Sequence, residues 1–174
     1  MRMQFIIACG VVLLMLLGTG QAASAATTSP IRSMSVWNAG TDGYLETGSS
    51  SSAGYYISTI DIAVPATATA QFAAPLAIPT IINGKQSRVR NIYLRWIAPA
   101  DCIITNVMVV SGGALIWTSP EYRPGTGDVE TVAIDLGSSI ACPMGLSVEW
   151  SITNTNGFTQ KVVEITGYGA KIKY

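Results

Sequence analysis

The chain has 174 residues, a formal net charge of zero and 49% hydrophobic residues, and only 11% of its residues are charged. It contains no histidine, which excludes Ser-His-Asp and Cys-His catalysis, histidine-based zinc sites and imidazole acid–base chemistry. Lys and Arg never occur three in a row, so the sequence gives no electrostatic basis for binding nucleic acid or an anionic membrane. We therefore expect a binding or structural protein without a cofactor, and not an enzyme.

The first 25 residues have the composition of a secretory signal peptide. Arg2 precedes an apolar run from Phe5 to Leu17, and Ala23-Ser24-Ala25 provides a small-residue cleavage site. The apolar run is shorter than the ~20 residues that a membrane-spanning helix needs. We predict cleavage after Ala25, one domain over residues 26–174, and a secreted or cell-surface protein without a membrane attachment. The alternative is a retained hydrophobic helix that anchors the protein or builds a pilin-like filament.

The predicted cleavage removes Cys9 and leaves Cys102 and Cys142 as the only cysteines. An exported chain with one pair of cysteines is most simply explained by a disulfide between them. Such a bridge would stabilise the fold by about 4 kcal/mol in the chain-entropy model. The alternative is a pair of buried free thiols.

Short β-rich segments alternate with turn signals through the rest of the chain. Asn83-Gly84 is a tight-turn signal, and Gly112-Gly113 predicts a second turn. No segment has helical periodicity, and about eight to ten short strands at this spacing are typical of a sandwich. We predict an all-β fold, a single two-sheet antiparallel sandwich that is jelly-roll-like, preceded by the cleaved hydrophobic signal helix.

Alternating side chains assign faces to two of these strands. In Arg88–Trp96, Ile92, Leu94 and Trp96 share one face while Tyr93 and Arg95 share the other. In Gly145–Thr153 the apolar face is formed by Leu146, Val148, Trp150 and Ile152. We expect the two apolar faces to lie in the core.

Three further segments have less regular patterns. The run Tyr55–Val64 is rich in aromatic and β-branched residues and predicts one strand that ends at Pro65. Prolines interrupt Ala74–Ile82, which predicts an edge strand or a bulge there. The segment Pro120–Gly127 is rich in Pro and Gly and predicts a loop.

Three short runs carry a resemblance to a known group of proteins. They are Ala77-Ile78-Pro79-Thr80, then Ile103–Val109 leading into Gly112, and Ile165–Ala170 near the end. Together these runs resemble a family of small bacterial β-sandwich domains of unknown function, over roughly residues 75–174. The family has no established activity or site residues, so the resemblance implies a β-sandwich and nothing about mechanism.

The acidic residues suggest two hypotheses about chemistry. Glu149 and Glu164 lie on predicted strands, and a glycan-active enzyme would need such a carboxylate pair across a cleft. Asp128 and Glu130 follow the Gly-rich loop and are weak calcium candidates. Solvated outer-face charges explain Glu149 and Glu164 more simply, and a plain turn followed by a strand explains Asp128 and Glu130, so we predict no catalytic residues and no metal.

Aromatic residues near turns are candidates for binding sugars, because sugar-binding sandwiches use exposed Trp and Tyr rings as platforms. These candidates are Trp37, Tyr44, Trp117 and Tyr122. Trp117 and Tyr122 flank Pro120 and are the first pair to consider. A carbohydrate-binding module that recognises a surface glycan is therefore one interpretation.

The leading interpretation from the sequence is a structural or self-associating module of the cell surface. Near-zero net charge removes the repulsion that keeps many proteins monomeric. The segment Thr27–Trp37 is long enough to add as an edge strand to a neighbouring copy. The alternative is that this segment folds back as the first strand of its own sandwich.

Overall fold

Strands account for 69% of residues 32–46 and 51–174, which are the residues described by this computed structural model. The predicted signal peptide and its cleavage site lie outside the described residues. One turn of 3-10 helix, Gly40–Asp42, follows the first strand. The strands are β1 (Ser33–Ala39), β2 (Tyr44–Leu45), β3 (Ser52–Tyr55), β4 (Ile60–Val64), β5 (Thr69–Leu76), β6 (Ile81–Ile82), β7 (Lys85–Gln86), β8 (Arg88–Ile97), β9 (Cys102–Ser111), β10 (Ala114–Pro124), β11 (Val129–Ala141), β12 (Leu146–Asn154) and β13 (Lys161–Lys173).

Two antiparallel sheets pack face to face. The six-stranded sheet has the order β11-β8-β13-β4-β3, and β1 pairs with β13 along the same side as β4. The five-stranded sheet has the order β10-β9-β12-β5-β2, and β6 and β7 form a separate small hairpin. This architecture confirms the predicted all-β, jelly-roll-like sandwich.

The core lies between the two sheets and follows the predicted alternation. Trp150 on β12 and Trp96 on β8 are fully buried, and their apolar neighbours two residues away on each strand are buried with them. Each large apolar side chain that is fully buried contributes about 1.5–3 kcal/mol relative to an exposed one. Both face assignments are confirmed, because a strand with one face in the core buries every second residue.

Both predicted turns are present. Asn83 and Gly84 have φ values of 52° and 73°, and they connect β6 to β7. Two successive positive φ values are the geometry of the type I′ hairpin turn that Asn-Gly favours. Gly112 and Gly113 have φ values of 58° and 80° and connect β9 to β10.

The sequence predicts one strand over Tyr55–Val64, and this prediction is wrong because the run contains a hairpin turn. β3 ends at Tyr55, the Tyr56 amide donates a hydrogen bond to the Thr59 carbonyl at 2.9 Å, and β4 begins at Ile60. Alternating burial starts only at Ile60. The β propensity of the preceding residues is overridden because pairing between β3 and β4 requires a turn there.

The prediction of a loop over Pro120–Gly127 is wrong in part, because β10 continues to Pro124. Among the described strands β10 lies at a sheet edge and pairs with β9 alone, and its register shifts between Pro120 and Arg123. A proline fits on an edge strand because the missing N–H can face solvent. Pro120 therefore does not end β10.

The described part of the N-terminal leader pairs within its own chain. Ser33–Ala39 forms β1, which pairs antiparallel with β13 from Lys173 back to Gly167. This is the folded-back alternative, and residues 27–31 of the leader lie outside the described residues. Over the residues that are described, no helix is long and apolar enough to cross a membrane.

The predicted disulfide is not formed in the structure, where Cys102 and Cys142 are buried free thiols. The Cys102 amide bonds the Pro99 carbonyl, just beyond the end of β8. Cys142 directly follows the stretch of β11 that pairs with Arg88 and Val89, at the start of β8. The two ends of β8 are about 30 Å apart at ~3.3 Å per residue, whereas a disulfide needs Cα atoms within roughly 7 Å.

We expect both thiols to resist alkylation in the folded protein. Burial raises the pKa of Cys102 to about 11 and also raises the pKa of Cys142, and the thiolate is the reactive form. At pH 8 the chain beginning at Ala26 should show about 100-fold slower labelling of Cys102 by iodoacetamide than in denaturant. Recovery of a linked Cys102–Cys142 peptide by non-reducing mass spectrometry would contradict this expectation.

Candidate functional site

An aromatic pair lies on the outer face of the six-stranded sheet, the face turned away from the core. Trp37 on β1, Gly169 on β13 and Tyr93 on β8 are register partners across three neighbouring strands. The Trp37 and Tyr93 rings stack with centroids 5.4 Å apart and an interplanar angle of 19°. We call these two rings, with Gly169 beneath them, the aromatic platform.

Gly169 makes this stacking possible because it has no side chain. A Cβ atom at this position would overlap the Val36 carbonyl oxygen and would lie 3.0 Å from Cδ2 of Trp37. The Trp37 ring can therefore lie over the strand and still leave 49% of the residue exposed. The result is a large aromatic surface that is open to solvent and held in one orientation.

A shallow cavity of about 450 Å³ adjoins the platform. It is lined by Trp37, Arg95, Val129 and Thr131. Arg95 and Thr131 are register partners on β8 and β11, one row away from Tyr93. At such a surface the aromatic ring can pack against an apolar face of a ligand, while the guanidinium group and the hydroxyl donate hydrogen bonds to the edge of that ligand.

The four aromatic candidates from the sequence do not share one surface. Trp117 faces Val109 and packs against the core, whereas Tyr122, beyond a register shift on the same strand, is 73% exposed. The pair considered first therefore forms no common platform. Tyr44 is exposed beside Ala73 on the five-stranded sheet, and Trp37 alone of the four belongs to the platform.

Sequence reasoning missed Tyr93 and Arg95 as site residues, although it placed them on the face opposite Leu94 and Trp96. That alternation was the available signal, because it put an aromatic ring and a cation on one outward surface. Their partner Trp37 lies on a strand far away in the sequence, so the combination required the register of β1, β13 and β8.

The outer face of the five-stranded sheet is polar and contains a hydrogen-bonded row of hydroxyls. Thr153 lies 2.8 Å from Thr69 and 3.1 Å from Thr105, measured between hydroxyl oxygens. On the same face, burial together with the nearby Glu46 carboxylate raises the pKa of Glu149. Most of these hydroxyls are satisfied by one another.

The carboxylate pair suggested for a glycan-active enzyme is not formed. Glu149 lies on the outer face of the five-stranded sheet, and Glu164 lies on the outer face of the six-stranded sheet. The whole sandwich separates them, whereas a glycosidase needs its two carboxylates across one cleft. Glu164 instead lies beside Asp61, its register partner on β4, at a cavity of about 310 Å³.

The calcium hypothesis gains no support at Asp128 and Glu130. The indole N–H of the buried Trp96 donates a hydrogen bond to the Glu130 carboxylate at 2.9 Å, so this carboxylate turns toward the sandwich interior. Asp128 is exposed in the turn before β11. In the part of the chain that the structure describes, no three acidic or cysteine side chains are grouped to hold a metal.

Comparisons with known proteins find likeness of structure only. No family model matches the chain, and no curated protein is similar to it in sequence. The resemblance to a family of unknown function is therefore supported only as far as a β-sandwich.

Several similar solved structures are carbohydrate-binding modules. A low-affinity xylan-binding module from the gut symbiont Roseburia intestinalis has a TM-score of 0.50 at 8% identity, covering 79% of this chain and 94% of that one. A point mutant of a family 29 carbohydrate-binding module has a TM-score of 0.49 at 9% identity, with coverage of 82% and 93%. Another mutant of that module, complexed with mannohexaose, has a TM-score of 0.47 at 11% identity, with coverage of 80% and 92%. At these identities the likeness shows the fold alone.

Proposed function

We propose that this protein is an exported, non-catalytic carbohydrate-binding module whose aromatic platform binds a glycan. The observation that carries the proposal is the half-exposed Trp37 ring, stacked on Tyr93 beside Arg95 and Thr131. A pyranose ring presents an apolar C–H face that packs on an aromatic ring, and its hydroxyls accept and donate hydrogen bonds at the edge. The shared sandwich fold of a xylan-binding module is consistent with this proposal.

The platform is suited to binding because its shape exists before a ligand arrives. Stacking on Tyr93 and packing over Gly169 restrict the Trp37 side chain, so little conformational entropy is lost when a sugar binds. The self-associating interpretation has no comparable support, since the strand proposed to pair with a neighbouring copy pairs with β13 of its own chain.

The alternative for Trp37 is that it only anchors the edge strand β1. An anchoring residue would affect stability and leave glycan affinity unchanged, whereas a binding residue would affect affinity in a protein that still folds. The two roles are therefore separable by measuring both quantities on the same variant.

Trp37→Ala should weaken binding to the preferred soluble polysaccharide by about 10- to 100-fold. The expected loss corresponds to roughly 1.4–2.8 kcal/mol, because the variant removes the larger ring of the platform. Affinity electrophoresis across a polysaccharide panel, followed by calorimetry on the best ligand, measures this change. Thermal unfolding of each variant reports whether the protein remains folded.

Phe158→Ala is the matched control, because Phe158 is 96% exposed outside both sheets and its ring stacks on no other in the described residues. It should leave affinity unchanged. Unchanged binding by folded Trp37→Ala, or no binding by the intact protein to any glycan, would overturn the proposal. Loss of binding in Tyr44→Ala alone would also overturn it, by moving the site to the other sheet.

A further inference from the structure

Cations concentrate around the aromatic platform, although the chain as a whole has no formal net charge. They lie on two neighbouring strands, β8 and β13, along the outer face of the six-stranded sheet. Asp135 on β11 is the one carboxylate that shares an ion pair with them in the described part of the chain. We call this group the basic stripe: Arg88, Arg90, Arg95, Lys171 and Lys173.

The register places two of these cations on either side of the platform. Arg95 pairs with Gly167, Tyr93 pairs with Gly169, and Asn91 pairs with Lys171. Arg95 and Lys171 therefore flank the Tyr93 row, about 13 Å apart at ~3.3 Å per residue along the strand. A chain of sugars stacked on the platform along the strand direction would meet a cation on each side.

Ion pairing accounts for one member of the stripe. Arg90 Nε lies 2.8 Å from Asp135, and the Gly137 amide lowers the pKa of that carboxyl together with the positive charges of Arg90 and Lys173. Arg88 donates hydrogen bonds to the Ser139 carbonyl, which leave its positive charge uncompensated.

The three remaining cations, Arg95, Lys171 and Lys173, have no salt bridge among the described residues. Arg88 and Lys173 are also direct register partners. Like charges directly opposite each other on neighbouring strands are destabilising. Charge pairing within the protein therefore does not account for Arg95 and Lys171, whose charges a bound polyanion would neutralise.

We propose that the glycan bound at the aromatic platform is an acidic polysaccharide, bearing carboxylate or sulfate groups that contact Arg95 and Lys171. This inference rests on the proposed carbohydrate-binding function and narrows its ligand class. Hydrogen bonds between guanidinium or ammonium groups and anionic oxygens are roughly twice as strong as neutral ones. The contacts are near the surface, so added salt weakens them.

The test compares polygalacturonate with its methyl ester, which has the same sugar ring without the charge. Sulfated galactan distinguishes sulfate from carboxylate, and neutral xylan and a single-stranded oligonucleotide complete the panel. The intact protein should bind the acidic polymer at least tenfold more tightly than its ester in low salt, and this preference should shrink in high salt. The double variant Arg95→Gln/Lys171→Gln should lose the preference and keep residual binding to the ester.

Lys85→Gln is the control for removing a positive charge outside the basic stripe, because Lys85 is exposed on the small β6–β7 hairpin outside both sheets. It should leave the preference intact. Equal affinity for acid and ester, with both lost in Trp37→Ala, would overturn the acidic preference and leave carbohydrate binding standing. Oligonucleotide binding as tight as polygalacturonate binding, unaffected by Trp37→Ala, would overturn the inference by showing attraction to charge alone. No binding to any polymer would overturn both proposals.

Discussion

Asn154→Ala is expected to lower the free energy of unfolding by about 3–4 kcal/mol, a large fraction of the stability of a domain this size. The Asn154 side chain is fully buried. The two N–H groups of its amide are shared among the carbonyl oxygens of Val64, Pro65 and Thr159, which lie 3.0, 3.1 and 2.9 Å from Nδ2, and its oxygen accepts a hydrogen bond from the Asn156 amide at 2.9 Å. Truncation would remove these bonds from buried or partly buried backbone groups, of which the Pro65 carbonyl also accepts a hydrogen bond from the Ala68 amide at 3.2 Å.

The effect is large because this one side chain joins three segments. It connects the end of β4, the end of β12 and the loop that leads into β13. Urea denaturation measures the loss, and the melting temperature should fall by roughly 10 °C. Asn106→Ala is a matched control, because Asn106 lies on the outer face and accepts one bond from Thr118 at 3.3 Å; it should cost less than about 1 kcal/mol.

Asn154→Asp provides a sharper version of the same test. The carboxylate keeps the shape of the side chain but turns an N–H donor into a negative charge that faces carbonyl oxygens. Burial and these oxygens would raise the folded-state pKa of the new carboxyl, so stability should fall as the pH rises through the interval between its unfolded and folded pKa values. A stability of Asn154→Ala within 1 kcal/mol of the wild-type chain would show that these hydrogen bonds matter little.

Gly169→Ala is expected to remove glycan binding and to destabilise the edge strand β1. The added methyl group would overlap the Val36 carbonyl oxygen and press on the Trp37 ring, so either β1 must move or the ring must leave its place over β13. Overpacking of this kind typically costs about 1–3 kcal/mol. Near-UV circular dichroism should lose the signal of the stacked Trp37–Tyr93 pair.

The control for this change is Gly157→Ala, because an added Cβ there meets no atom within 4 Å. It should preserve the near-UV spectrum, the stability and the binding. If Gly169→Ala retains both the stacked-pair signal and full affinity, then the glycine does not position the platform. The two readouts are independent, since the spectrum reports the rings even when no ligand is present.

The sequence by itself determined which residues of several strands face the core. Alternation placed Leu94 and Trp96 inward and Tyr93 and Arg95 outward, because side chains on a strand point to opposite faces in turn. Asn83-Gly84 likewise determined its hairpin, because two residues with positive φ are needed and Asn-Gly tolerates both. These are local properties, and local sequence carries them.

Only the tertiary structure decided which strands are neighbours and in which register. Trp37 meets Tyr93 because β1 and β8 flank β13, and the basic stripe arises because Arg88 and Lys173 lie side by side although 85 residues separate them. The same long-range pairing puts Glu149 and Glu164 on opposite sheets and Cys102 and Cys142 at opposite ends. Period-two patterns give the face of a residue and contain no information about its cross-strand partner, which depends on hydrogen bonds between distant segments.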